Sequence, residues 1–164
     1  MSFATTPFTS WDDLTRQACA LVDGETNLVA NLANLSALIM VSVPDLNWAG
    51  FYLWDAAAGE LVLGPFQGKP ACLRIRPERG VCGRAWTTRE TQNVANVHAF
   101  PGHIACDIAS RAELVVPLLA VDKCWGVLDL DSPTGARFSP EDALGATRFV
   151  KRLMPQLWPI PVED

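Results

Sequence analysis

The sequence predicts an α+β domain: a largely antiparallel central sheet flanked by helices from the N- and C-terminal parts of the chain. Three observations carry this. Leu28, Leu32, Leu35 and Ile39 recur at spacings of three and four, a helical stripe. After Pro44 the pattern turns to alternating, extended segments, and near the C-terminus a capped helix returns. At 164 residues one core can bury about two-thirds of the unfolded surface, so 1–164 reads as a single domain.

In chain order, Ser10 is a candidate N-cap for a helix over 10–21, with Asp12 and Asp13 in its first turn where they complement the helix dipole. A second helix spans 26–42 and must stop ahead of Pro44. The segments 46–55 and 60–68 flank the small-residue turn "AAAG" and read as a hairpin. "ACLRIR" (71–76) is a further strand candidate, "RGVCGRAWTTRE" a loop entering a short helix, and "TQNVAN" a short segment. A loop at 98–109 precedes the strands "ELVVPLL" and "CWGVLDLD", which turn near 121–123. The last helix opens with Ser139 as N-cap and Pro140 at its first position.

Composition narrows the function. A net charge of −5 with 13 scattered basic residues argues against nucleic acid or an anionic membrane as the main partner. The N-terminus lacks the basic and apolar regions of a secretory signal, and no apolar run could span a bilayer, so the chain is expected in the cytoplasm. Five cysteines (19, 72, 82, 106, 124) in a reducing compartment speak against a permanent disulfide framework; a pair that forms would be catalytic or regulatory.

Strand alternation puts Trp48, Gly50 and Tyr52 on one face, where a glycine between two aromatics would leave a slot for a small apolar group; a bulge at Gly50 in ordinary sheet packing is the alternative. Asp129 and Asp131 likewise share a face, with Leu128 and Leu130 on the other, and Glu113 from a neighbouring strand can join them. Three acids in one cleft would attract an ammonium group and keep one member protonated, whereas a solvated strand end would leave them ordinary. Cys106 lies in a polar loop beside His103, a setting for a reactive thiol; Cys72 and Cys82 can reach the same cleft, while Cys19 and Cys124 read as structural. No cysteine pair has C-x-x-C spacing, and with only His98 and His103 no metal motif is recognisable; neither metal nor organic cofactor is expected.

Taken in order, "NWAGFYL", "LVLGPFQGKPACLRI", "ERGVCGRAW", "VHAFPGHIACD", "AELVVPL" and "GVLDLDSP" resemble the free methionine-(R)-sulfoxide reductases, which are stand-alone GAF domains. The resemblance implies a GAF-like fold and reduction of free methionine (R)-sulfoxide. It implies Cys106 as the cysteine that attacks the sulfoxide sulfur, Cys72 as the resolving cysteine that closes a disulfide on its sulfenic acid, and Cys82 as the third cysteine assisting recycling. By the same resemblance Trp48 and Tyr52 surround the substrate methyl, Glu113, Asp129 and Asp131 hold the substrate and polarise its oxygen, and thioredoxin is the reductant. A homodimer is compatible with all of this. Pro70 stands where a larger apolar residue is expected and stiffens the approach to Cys72. The competing reading is a non-catalytic GAF module that senses a small molecule or redox state.

Overall fold

Cap and turn chemistry closes as the sequence signals it. Ser10 accepts from the Asp13 N–H at the start of α1 (Trp11–Val22), and Asn27 from the Ala30 N–H at the start of α2 (Leu28–Ser42). The computed structural model describes residues 8–102 and 107–158. The hairpin is β1 (Trp48–Asp55) and β2 (Glu60–Gly68); β3 (Arg74–Ile75), α3 (Gly80–Thr88) and β4 (Gln92–Val94) follow. The long strands β5 (Ala112–Ala120) and β6 (Lys123–Ser132) lead to α4 (Pro140–Leu157). A reciprocal capping box between Ser139 and Asp142 starts α4, and Asp142 also accepts from the Trp11 indole at 2.9 Å, tying α4 to α1.

The strands form one antiparallel sheet in the order β3-β2-β1-β6-β5-β4. One correction to the sequence reading belongs here, and one of its alternatives, a bulge at Gly50, is met. The strand expected over 71–76 shrinks to Arg74–Ile75, which pair with Val62 and Leu61. In the segment before it, the Lys69 and Cys72 carbonyls accept from the Trp48 and Tyr52 side chains of β1, while the Leu73 carbonyl accepts from the Leu63 N–H of β2 at 3.0 Å. Gly50 lies beside an irregularity: Gly50 and Tyr52, two apart on β1, face Phe66 and Leu63, three apart on β2. The extra residue falls near Pro65, which has no N–H to offer a ladder.

The sheet has two unlike faces. Towards α1, α2 and α4 it sends Ala49, Phe51, Leu114, Val116, Leu128 and Leu130, all buried against Leu14, Leu35, Ile39 and Phe149 in one large apolar core. The opposite face carries Trp48, Tyr52, Val115 and Val127, which meet Ile75 and the Val81, Cys82 and Ala85 side of α3 in a smaller cluster. This second face holds the site.

Candidate active site

Register, more than any single residue, builds the site. On β6, Asp131 pairs with Trp48 of β1 on one side and Glu113 of β5 on the other; Asp129 pairs with Gly50 and Val115. With a side-chain period of two, Trp48, Tyr52, Glu113, Asp129 and Asp131 therefore all project from the face away from the large core. A pocket on that face is lined by these five residues together with Cys82, Lys69, Asp107 and Ser110. Glu113 and Asp129 are each only 6% exposed, so they are not the solvated strand end that sequence reasoning left open.

Burial is the main influence on their ionisation. Burial is the main cause that pushes Asp129 up to about 7, although Cys82 and Glu113 as hydrogen-bonding neighbours pull it down. Glu113 is raised well above the usual carboxylate range by burial and then by the negative charges of Asp129 and Asp131. Asp131 is raised too, by burial and then by Asp129 and Asp107. The pocket is thus a proton reservoir near neutral pH that also attracts cations. Asp129 Oδ1 has no hydrogen-bond partner among the described residues.

Cys82 enters from the first turn of α3. Its thiol donates to Glu113 Oε1 at 3.8 Å, and burial together with Asp129 and Glu113 keeps it protonated. Potential ligand atoms of Cys82, Glu113 and Asp129 all lie within 4.8 Å of one another. These residues come from three separate elements and leave no spacing motif; the sequence reading set them in one cleft, and their mutual distances come from the packing of α3 against the sheet.

The aromatics are more tightly engaged than a free slot would allow. Trp48 stacks on Phe66 at 5.2 Å and on Tyr52 at 6.0 Å between ring centroids. A Cβ placed on Gly50 would come within 2.3 Å of Phe66 Cβ and 2.7 Å of the Trp48 ring, so the space over Gly50 is filled by these rings. Their polar ends reach outward: Trp48 Nε1 donates to the Lys69 carbonyl at 3.1 Å, and the Tyr52 hydroxyl to the Cys72 carbonyl at 3.0 Å. These two bonds fix the 69–72 segment over the pocket.

At the mouth, Lys69 Nζ lies 3.3 Å from Asp107 Oδ2, and Asn47 Nδ2 donates both to that oxygen and to Ser110 Oγ. Asp107 is held below the usual carboxylate range, chiefly by the Ala109 N–H and further by Lys69 and Asn47. Lys69, Asp107, Ser110 and Asn47 escaped sequence reasoning as site residues; lone polar residues in loops carry no periodic signal. Cys72 is disulfide-bonded, whereas Cys19, Cys82 and Cys124 are free. Cys19 packs against the large core and the Cys124 thiol donates to the Gly126 carbonyl. Cys106 and His103 lie outside the described residues.

The GAF domain family model matches residues 14–157. The chain is 50% identical over 141 residues to the free methionine-R-sulfoxide reductase of Escherichia coli, covering 86% of this chain and 84% of that one. Among solved structures, the free methionine-R-sulfoxide reductase of Neisseria meningitidis in complex with its substrate is 42% identical with a TM-score of 0.88, covering 94% of this chain and 96% of that chain. A protein from Burkholderia vietnamiensis described as a putative GAF sensor is 54% identical with a TM-score of 0.86, over 90% and 93% of the two chains.

Proposed function

The chain belongs to the GAF domain family and within it to the free methionine-R-sulfoxide reductases, and on that premise we propose that it reduces free methionine (R)-sulfoxide to methionine in the acidic pocket. The observation that carries the reading is the acid cluster of buried Glu113 and Asp129 and partly buried Asp131 on the same sheet face as Trp48 and Tyr52.

The chemistry demands such a cluster. A thiolate attacking a sulfoxide sulfur needs the departing oxygen protonated, because oxide does not leave in neutral water. A carboxyl whose proton is retained near pH 7 supplies it, and an ionised neighbour pairs with the substrate ammonium. Glu113, Asp129 and Asp131 divide these roles between them. In the first step Cys106 takes the oxygen from sulfur, leaving methionine and a cysteine sulfenic acid. The Cys72 thiol then condenses with it, releasing water and forming a Cys72–Cys106 disulfide. Thioredoxin, or another dithiol, returns both to thiols by exchange and is itself oxidised. Cys82 assists this recycling. The reading is supported by Cys72 standing in a disulfide while Cys19, Cys82 and Cys124 are free.

Selection of the free amino acid follows from charge. A peptide-bound residue lacks the α-ammonium that buried carboxylates reward, and lacks the α-carboxylate that backbone N–H groups of the 101–107 loop would receive. The reaction uses no metal or organic cofactor, and the domain 1–164 acts as a unit in the cytoplasm.

Epimer-resolved turnover is the test. With dithiothreitol, the R sulfoxide is converted to methionine, the S sulfoxide persists, and Cys106→Ser abolishes conversion. Cys72→Ser impairs mainly the thioredoxin-supported reaction. Consumption of neither epimer would leave the sensing role in front, a role that the likeness to the Burkholderia vietnamiensis protein keeps in view.

A further inference from the structure

The smaller face of the sheet sets a sulfur beside two of the carboxylates of the acidic pocket, a donor set that suits a metal ion as well as an ammonium group. Cys82 Sγ lies 3.8 Å from Glu113 Oε1, and ligand atoms of Cys82, Glu113 and Asp129 fall within 4.8 Å of one another. A sulfur and an oxygen that share a tetrahedral zinc ion sit about 3.5 Å apart, given bond lengths of about 2.3 Å and 2.0 Å. The observed separation closes to this with a small side-chain shift. Asp129 lines the pocket, and although its carboxyl hydrogen-bonds with Cys82 and Glu113, its buried Oδ1 has no hydrogen-bond partner among the described residues. A buried carboxylate oxygen left without a donor is costly, and a cation bound there would offset that cost.

We propose that Cys82, Glu113 and Asp129 form a binding site for a divalent cation of borderline softness, Zn²⁺ or its spectroscopic substitute Co²⁺, and that the cation and the amino-acid ligand exclude one another. Harder ions such as Mg²⁺ prefer six oxygen or water ligands and are not expected to compete. Binding replaces the Cys82 S–H by an S–metal bond and releases its proton to solvent; any proton held on the two carboxylates leaves as well. The cation takes the charge-compensating place of the substrate ammonium. Mutual exclusion therefore rests on the function proposed above, whereas the site itself rests only on the geometry.

The protein with Cys72 in its disulfide state is titrated with Co²⁺ and followed by thiolate-to-cobalt charge transfer in the near ultraviolet. One ion per chain binds with a charge-transfer band, which Cys82→Ser abolishes and which Cys19→Ser and Cys124→Ser retain. Glu113→Gln, nearly isosteric, weakens binding at least about tenfold. Absence of the band in the parent protein, or its persistence in Cys82→Ser, overturns the site. Saturating free methionine raises the apparent dissociation constant for Co²⁺ severalfold; an unchanged constant overturns the exclusion. Reductase turnover in the presence of a chelator is measured separately, so that loss of the reaction with an intact cobalt band would remove the proposed function and leave the cation site standing.

Discussion

Leu128 and Asp129 are neighbours on β6 and face opposite ways, one into the large core beneath the helices and one into the acidic pocket. Both are almost fully buried, Leu128 at 0% and Asp129 at 6% exposure. The helix side is assembled from aliphatic and aromatic groups whose burial stabilises the fold. The other side buries Glu113 and Asp129 and partly buries Asp131, with no ion-pair partner for them among the described residues, an arrangement that opposes folding. One strand thus carries stability and its expense on alternate residues, and the larger core tolerates the smaller site.

The largest effect is expected on the acidic side, in catalysis. Glu113→Gln removes one of the carboxyls proposed to give the proton and should lower the rate of the chemical step by about 10²–10⁴-fold, read in single turnover under pre-reduced conditions. An unchanged rate would move the proton transfer to Asp129 or Asp131. On the helix side, Leu128→Ala should destabilise the fold by about 2–5 kcal/mol in urea denaturation, with the m-value preserved, because it opens a cavity in a closed core.

One residue further along, the sign should reverse. Asp129→Asn removes a buried charge next to Glu113 and Asp131 and is expected to stabilise the protein at pH 7.5 by about 1–3 kcal/mol, while impairing turnover. A raised carboxylate binds its proton more tightly in the folded state, so its contribution to stability is full below about pH 4 and is lost as pH rises through about 7. The variant's advantage over the parent should accordingly be small at pH 4 and grow towards pH 7.5. An advantage constant with pH would mean that Asp129 titrates normally.

This contrast of faces was legible in the sequence only along single strands. Period-two alternation predicts that Trp48 shares a side with Tyr52 and Asp129 with Asp131, because that depends on neighbours in the chain. It cannot say that Glu113 lies across from Asp131, since register depends on where β5 and β6 turn and on the irregularity between Pro117 and Leu119. The approach of Cys82 to Glu113 depends on packing of α3 against the sheet, a contact across 31 positions. The reading of Gly50 as a slot failed to anticipate that Phe66, displaced by the β2 irregularity, would fill it with the Trp48 ring. The strand expected over 71–76 overshot because its residues were judged by composition, while Tyr52 captures the Cys72 carbonyl and pairing with β2 begins only at the Leu73 carbonyl.

The smallest effect concerns the rim where the acidic face meets solvent. Lys69 pairs with Asp107 across the pocket mouth, but its side chain is 70% exposed, and an exposed pair of this kind contributes about 1 kcal/mol or less. Lys69→Met should therefore leave the urea midpoint almost unmoved. Its consequence should appear in binding. In a pocket whose buried groups are acids, a substrate carboxylate meets repulsion unless a cation at the mouth offsets it, and Lys69 lines that mouth. KM should rise severalfold with kcat unchanged, the pattern of lost ground-state binding, and the rise should shrink at high ionic strength as screening weakens the charge that was removed. An unchanged KM would assign carboxylate recognition to backbone N–H groups alone and reduce Lys69 to a partner of Asp107.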